Sequence, residues 1–349
     1  MSAAPRVTVV IPTWNGRALL ELVMPSLERQ AYRDFETLVV DNGSSDGTAE
    51  HARERWPWAE VVALPRNVGF AAGVNRGIER ARGEYVALVN NDMELDPAFL
   101  GALVAALDDE PAAASATAKM LFFDDREILD GAGDVLHWSG VVRLRGRGER
   151  DRGQYDAPTE VFSACAGAAL YRRAAFDEVG SFDEAFFAQM EDVDWGFRAR
   201  LLGYGCRYVP GAVVYHKGSA SMWREGRRDP RFWGMPVRNC IWMWIKNYPL
   251  DCLLRNAHLL LLHELAGLYF ATREGMARAQ LRAWRDALRG LPRVLRQRRE
   301  IQARRRIGRR ELEPIVRSEP LSWRQGWSLL RGGRPAPGAL PAEPPTRRA

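Results

Sequence analysis

The sequence predicts an α/β protein: a doubly wound, mostly parallel sheet with helices on both faces, followed by a helical extension. Three observations point there. Over the first hundred residues short apolar runs alternate with longer amphipathic ones, which is the pattern of strand–helix–strand units. Each apolar run stops in Gly, Asn, Asp or Pro, the residues of tight connections. Beyond about residue 229 the chain reads as helical nearly to residue 310, punctuated by prolines.

The elements follow in order. Residues 6–12 read as a strand, 18–29 as a helix, 36–41 as a strand and 46–55 as a helix. A third strand covers 61–64, a third helix 71–81, and a fourth strand 85–89 leads through Asn90-Asn91-Asp92 to a helix start at Asp96-Pro97. Residues 120–165 are rich in Gly and charge, as in Asp130-Gly-Ala-Gly-Asp134, and read as irregular loops able to cover a site. Ordered structure resumes with a strand over 164–171, a short helix over 174–179, a helix over 191–202 ending at Gly203, and a strand over 208–215 that delivers His216. Pro236, Pro249 and Pro292 are expected to break the helical tract. The expected division is an α/β domain over 1–228, in halves 1–119 and 120–228, a basic helical region over 229–331 and a disordered tail over 332–349.

Composition narrows the function. The 349 residues carry a net charge of +6, but residues 250–349 hold 21 Arg, no Lys and 9 acidic residues, so that third carries +12 and the rest −6. A basic tail on an acidic body points to an anionic surface as partner. No nucleic-acid module accompanies the charge, so a membrane face is favoured over nucleic acid. A helical cap with a solvated basic face is the alternative. The apolar stretch 253–271 is interrupted by Arg255, Asn256, His258, His263 and Glu264, whereas a spanning helix needs about 20 nearly unbroken apolar residues. No signal peptide is legible at the N-terminus. Four scattered cysteines, with no paired or zinc-like spacing, read as free thiols of a reducing cytoplasm. The expected location is cytoplasmic, peripheral at the inner face of the cell membrane.

Four strands end in polar residues on what should be one sheet edge: Pro12-Thr-Trp-Asn15, Asp41-Asn-Gly-Ser-Ser-Asp46, Pro65-Arg-Asn67 and Asn90-Asn-Asp92. Open α/β sheets place ligands there. Each turn alone is ordinary loop chemistry; four converging are a candidate site. Glu191-Asp192 adds adjacent carboxylates at a helix start, where they also complement the helix dipole. Asp194 and Arg198, four apart on the same helix, are spaced to pair.

The ordered set Val10-Ile-Pro-Thr-Trp-Asn15, Val40-Asp-Asn-Gly-Ser-Ser-Asp-Gly-Thr48, Arg66-Asn-Val-Gly-Phe-Ala-Ala-Gly-Val-Asn75, Asn90-Asn-Asp92 and Glu191-Asp-Val-Asp-Trp195 resembles inverting nucleotide-sugar glycosyltransferases of family 2, with the GT-A fold. The resemblance covers about residues 6–250. Within the family it is to bacterial enzymes that transfer rhamnose or related sugars onto cell-surface or lipid-linked glycans. It implies roles residue by residue. Asp92 would bind a divalent metal, Mg²⁺ or Mn²⁺, on the donor diphosphate, with His216 as a second ligand; imidazole suits Mn²⁺ better. Asn90 departs from the commoner Asp, and it and Asn91 would contact ribose or phosphate. Asp41 would accept the imide N–H of uracil or thymine, Thr13 and Asn15 would line that pocket, and Arg66 and Asn67 would approach the nucleotide. Asp192 would be the base that deprotonates the acceptor, with Glu191 as second candidate. Gly167 would leave room beside the sugar, and Trp195, Trp223 and Trp233 are candidates to stack on sugar rings.

Two other functions fit parts of the pattern. A sugar-phosphate nucleotidyltransferase shares the sheet but carries a Gly-rich basic loop after its first strand, which Pro12-Thr-Trp-Asn-Gly16 does not resemble. A non-catalytic glycan- or nucleotide-binding scaffold at a membrane shares the remaining features; turnover of a nucleotide sugar distinguishes it.

Overall fold

The computed structural model of the protein describes residues 4–218, 223–224, 227–228 and 230–316. Its parallel core is β1 (Val7–Thr13), β2 (Phe35–Asp41), β3 (Glu60–Ala63) and β4 (Tyr85–Val89). Helices α1 (Arg17–Glu28), α2 (Thr48–Arg55) and α3 (Phe70–Arg80) alternate with them. These elements begin and end within a residue or two of the predicted ones, because Val-rich runs buried on both faces are the strongest strand signal of a parallel sheet.

The chain continues through β5 (Met93–Leu95), α4 (Phe99–Asp109) and the ten-residue β6 (Ala113–Phe122). The stretch expected to be irregular contains four short strands, β7 (Leu129–Gly131), β8 (Asp134–Leu136), β9 (Val142–Leu144) and β10 (Thr159–Glu160). At two or three residues each, they are too short to show a period. Then come β11 (Ala168–Arg172), α5 (Arg173–Val179), a 3₁₀ turn (Glu184–Phe186), α6 (Glu191–Leu201) and β12 (Gly205–His216). The large sheet runs β10-β12-β6-β11-β4-β1-β2-β3. β3, β2, β1 and β4 are mutually parallel and β12 is parallel to β6, while β11 enters antiparallel between β4 and β6.

One face of this sheet packs Leu20, Val23, Met24, Phe99 and Leu103 of α1 and α4. The other packs Val74 and Ile78 of α3 with Phe176 and Trp195. Registers bring the carboxyl ends together. Thr13 lies opposite Asp41, Ala168 opposite Val89 at the mouth of Asn90-Asn91-Asp92, and His216 opposite Met93.

After a short hairpin, β13 (Trp223–Arg224) and β14 (Arg227–Arg228), the extension is α7 (Pro230–Asn247), α8 (Leu250–Arg273), α9 (Ala277–Arg304) and α10 (Arg309–Leu312). Of the three expected breaks only Pro249 separates helices; Pro236 and Pro292 lie inside α7 and α9. A helix-interior proline costs about 3 kcal/mol, and packing between the two helices offsets it. Trp242 of α7 donates its indole N–H to Ala287 O of α9 at 3.0 Å, and its ring lies where Gly290 leaves no room for a Cβ, 2.4 Å away. The break between α8 and α9 falls instead at Gly275, whose φ is 71°. The four cysteines are free. No described helix is long and apolar enough to cross a membrane. The expected disordered tail at 332–349 lies outside the described residues.

Candidate active site

The loops at the sheet edge are locked by side chains. Asn91 donates Nδ2–H to Thr13 Oγ1 at 2.8 Å, tying the end of β4 to that of β1. Asp41 is buried and accepts from the hydroxyl and the amide of Ser44, so it closes its own turn. Asn15, at φ 48°, accepts from Ser45 N at 2.8 Å and donates its own amide to Ser44 Oγ at 2.8 Å. Its side chain therefore braces the turn at Ser44 and Ser45. Arg66 is exposed, and its backbone passes so close to Gly43 that a Cβ there would sit 2.4 Å from it. Asn67 accepts from Gly69 N at 2.9 Å ahead of α3. Asn42, which the sequence did not single out, organises this loop. It is buried, accepts from Val68 N at 2.9 Å and donates to Gly69 O at 2.9 Å.

The second group is a carboxylate–imidazole–carboxylate line. His216 Nε2 stands 3.4 Å from Asp92 Oδ2, and its Nδ1 stands 2.6 Å from Asp130 Oδ2. Asp130 is buried and also pairs with Arg147 at 3.0 Å. Burial pulls the His216 pKa down, but hydrogen bonds to Asp130 and Asp92 outweigh it and push the value up to about 10. Asp92 and the Nε2 side of His216 thus face each other across a gap of 3.4 Å. The donor set fits a divalent ion: one hard carboxylate and one imidazole whose far nitrogen is fixed by a second carboxylate, the usual outer-shell arrangement of metal-binding histidines. Among the described residues no cluster of three or more His, Cys, Asp or Glu side chains forms a full cage, so a cation held here would take its further ligands from water or a diphosphate.

The third group surrounds the start of α6. Asp192 is half-buried; it accepts from Ala166 N at 3.0 Å through Oδ2 and from Val193 N at 2.8 Å through Oδ1. Ala166 precedes Gly167, whose carbonyl accepts from Asn90 N at 2.9 Å, and this short path joins Asp192 to the Asn90–Asp92 strand end. A Cβ on Gly167 would lie 2.8 Å from the Asn90 carboxamide, so the expected smallness has a steric cause. Burial raises the Asp192 pKa against the backbone N–H groups of Ala166, Val193 and Asp192 that lower it. Glu191 is buried, its Oε2 finds no hydrogen-bond partner among the described residues, and burial followed by repulsion from Asp192 pushes its pKa well up. Of the two acids, Asp192 is the one that reaches solvent. Phe187, Gln189 and Met190, in the turn before them, have φ of 65°, 69° and 71°, conformations that cluster at functional sites.

Comparison with known proteins gives the family. The model of the family described as "Glycosyl transferase family 2" matches residues 8–180. An N-acetylglucosaminyl-diphospho-decaprenol L-rhamnosyltransferase of Mycobacterium tuberculosis is 30% identical over 242 residues, 62% of this chain and 78% of that one. The chain belongs to glycosyltransferase family 2. An uncharacterised protein of Sinorhizobium fredii is 32% identical over 252 residues, 66% of this chain, and the chain spans only 26% of that relative's length. A mannosyltransferase of Pyrobaculum calidifontis, solved with GDP-Man and Mn²⁺, superposes with a TM-score of 0.52 at 17% identity, covering 82% of this chain and 76% of that one. The fold of this family 2 glycosyltransferase is thus GT-A.

Some expected residues lie elsewhere. Trp195 is fully buried, its ring centroid 5.1 Å from that of Tyr171 and 5.0 Å from that of Phe176, and its Nε1–H is given to Gly180 O at 2.8 Å. It is a core residue of the glycosyltransferase and no sugar platform. Trp233 donates to Gln280 Oε1 of α9 at 3.1 Å, and the Trp223 side chain lies outside the described residues. Asp194 and Arg198 do pair, at 3.0 Å, inside a larger buried network. Asp130 was legible only as one acid of a Gly-rich loop.

Proposed function

We propose that this glycosyltransferase is an inverting, metal-dependent enzyme. Its donor would be a nucleoside-diphosphate sugar, dTDP-rhamnose, and its acceptor a hydroxyl of a lipid-linked or cell-surface glycan. The observation that carries the reading is the Asp92–His216–Asp130 line set one strand end from Asp192. A cation site for the leaving group thus stands beside a carboxylate of raised basicity. The relative that acts on a diphospho-decaprenol acceptor supports the sugar and acceptor class.

Asp92 and His216 would hold the cation, which supplies charge neutralisation for the departing diphosphate. Asp130 would hold an N–H on His216 Nδ1, so that a cation would displace the proton from Nε2. Asp41 and Thr13, on adjacent strand ends, would receive the pyrimidine, and Asn90, Asn91, Arg66 and Asn67 the ribose and phosphates. Asp192 takes the proton of the acceptor hydroxyl as its oxygen bonds to the anomeric carbon from the face opposite the diphosphate. The old glycosidic bond breaks, the nucleoside diphosphate leaves with its electron pair, and the anomeric configuration inverts.

The acceptor class calls for a membrane surface, and α8 and α9 offer one. Leu250, Leu254, Leu261, Leu262, Leu265 and Tyr269 are exposed along α8. The solvent face of α9 interleaves Leu281, Leu288 and Leu295 with exposed Arg282, Arg285, Arg289 and Arg296. Leucines set among arginines are the chemistry of a helix lying in an anionic headgroup layer. Presenting the protein with a panel of UDP-, dTDP- and GDP-sugars, Mn²⁺ and a polyprenyl-diphosphate-linked N-acetylglucosamine tests the reading. Consumption of dTDP-rhamnose with formation of the disaccharide lipid is expected, and no turnover of any donor would leave only the scaffold reading.

A further inference from the structure

The turn that precedes Asp192 is held from outside the catalytic sheet. Asn239 of α7 is fully buried, and its Nδ2 lies 3.0 Å from Phe186 O, 3.0 Å from Ala188 O and 2.7 Å from Gln189 O. One carboxamide therefore gathers three carbonyls of the segment whose backbone passes through φ of 65°, 69° and 71° at Phe187, Gln189 and Met190. Its Oδ1 is in turn held by Arg238, through Nε at 3.0 Å and Nη2 at 2.9 Å. The same Arg238 Nη2 reaches Ala185 O at 3.1 Å and Phe186 O at 3.0 Å. The carbonyl of Phe187, between them, accepts from Ala71 N at 3.1 Å on α3, so the turn is pinned on one side to α7 and on the other to α3.

Left-handed backbone at non-glycine residues persists only where the surroundings over-determine it. The donors that do so here belong to Asn239 and Arg238. An aspartate at 239 would have the same shape and no N–H to give, and would set a carboxylate against three carbonyl oxygens. We infer that Asn239, oriented by Arg238, is a positioning residue for the catalytic base: it fixes the turn 186–190 and through it the place of the Asp192 carboxylate at the start of α6. The helical extension is thereby part of the catalytic apparatus.

The inference rests on Asp192 being the base, and the experiment separates the two. Asn239→Asp, Arg238→Ala and Asp192→Asn proteins, with the double variants, are assayed for transfer from dTDP-rhamnose. In parallel dTDP·Mn²⁺ binding is measured by calorimetry, and hydrogen exchange of the 185–193 peptide by mass spectrometry. Misplacing a reacting group by about 1 Å costs about 10²-fold. Asn239→Asp should thus lower kcat by about ten- to a hundredfold, leave donor KM and dTDP·Mn²⁺ affinity within about twofold, and speed exchange in the 185–193 peptide. Arg238→Ala should do the same to a smaller degree, and it carries the test if Asn239→Asp does not fold. In the Asp192→Asn background neither change should lower activity further. Normal kcat and unchanged exchange in a folded Asn239→Asp or Arg238→Ala protein would overturn the inference while the base assignment stood. So would a loss confined to KM or to dTDP·Mn²⁺ affinity. Full activity in Asp192→Asn would remove the base assignment itself, and the exchange measurement would still report whether Asn239 holds the turn.

Discussion

His216 takes its character from a neighbour distant in sequence and Asp192 from burial. Asp130, 86 residues away, holds the His216 ring through Nδ1, and an outer-shell partner of this kind is worth about 10- to 100-fold in metal affinity. Asp130→Asn should weaken Mn²⁺ binding by that factor while leaving dTDP affinity without metal unchanged, as titration calorimetry can read. Asp192 was legible from the Glu191-Asp-Val-Asp-Trp195 motif; what singles it out from Glu191 is burial, which spacing does not report. Removing a general base costs about 10²- to 10⁴-fold, so Asp192→Asn should lose activity on that scale with donor binding retained. The raised pKa sets the sign of the pH dependence. The base must be ionised to work, so the acid limb of kcat/KM should lie above the ordinary carboxylate value of about 4. A limb at or below that value would contradict the environment described.

Helix α6 carries the proposed base on one side and a buried ionic junction on the other. Asp194 binds Arg198 at 3.0 Å, Lys246 at 2.9 Å and Asn247 at 2.8 Å. Asp183 binds the same Lys246 at 2.9 Å and Arg293 of α9 at 2.8 Å. Burial raises the Asp183 pKa, yet Lys246 and Arg293 outweigh it and hold the carboxyl far below its usual range. The stabilisation is therefore complete above the unfolded-state value of about 4 and is lost as pH falls through the folded one. Breaking a buried pair costs about 3 kcal/mol. Asp183→Asn should lower neutral-pH stability by about that much and flatten the acid dependence of Tm, measurable by calorimetry between pH 7 and pH 3. Of this junction only the Asp194–Arg198 spacing was legible in sequence, since i, i+4 pairs are local. Asn239, Lys246 and Arg293 meet α6 and the turn before it through tertiary packing, which no periodicity announces. Pro236 and Pro292 misled for the same reason: local propensity yields to the packing of α7 against α9. Gly275, a left-handed residue at a helix end, was the break the sequence did contain.

For the whole molecule, the order of strands and helices and the edge that carries the polar residues were legible because a doubly wound sheet writes them as alternating apolar runs with turn residues at one end. The antiparallel direction of the strand expected over 164–171, β11, and the short strands of the cover were not, since neither leaves a distinctive pattern. The charge asymmetry was legible too, and the fold adds leucines to the same helices. Anionic lipid attracts about 1 kcal/mol per basic residue at the surface. Sedimentation with phosphatidylglycerol vesicles should therefore carry the protein down at low salt, neutral phosphatidylcholine vesicles should not, and Leu254→Ser with Leu261→Ser should weaken the first. Cosedimentation with neither would favour a solvated cap. The central claim is that Asp41, Asp92, His216 and Asp192 face one nucleotide sugar. Anomalous diffraction from crystals grown with Mn²⁺ and dTDP-rhamnose tests it most directly. The claim predicts a manganese peak bonded to the Asp92 carboxylate and His216 Nε2, with the anomeric carbon turned toward Asp192; a diphosphate lodged away from these side chains would contradict it.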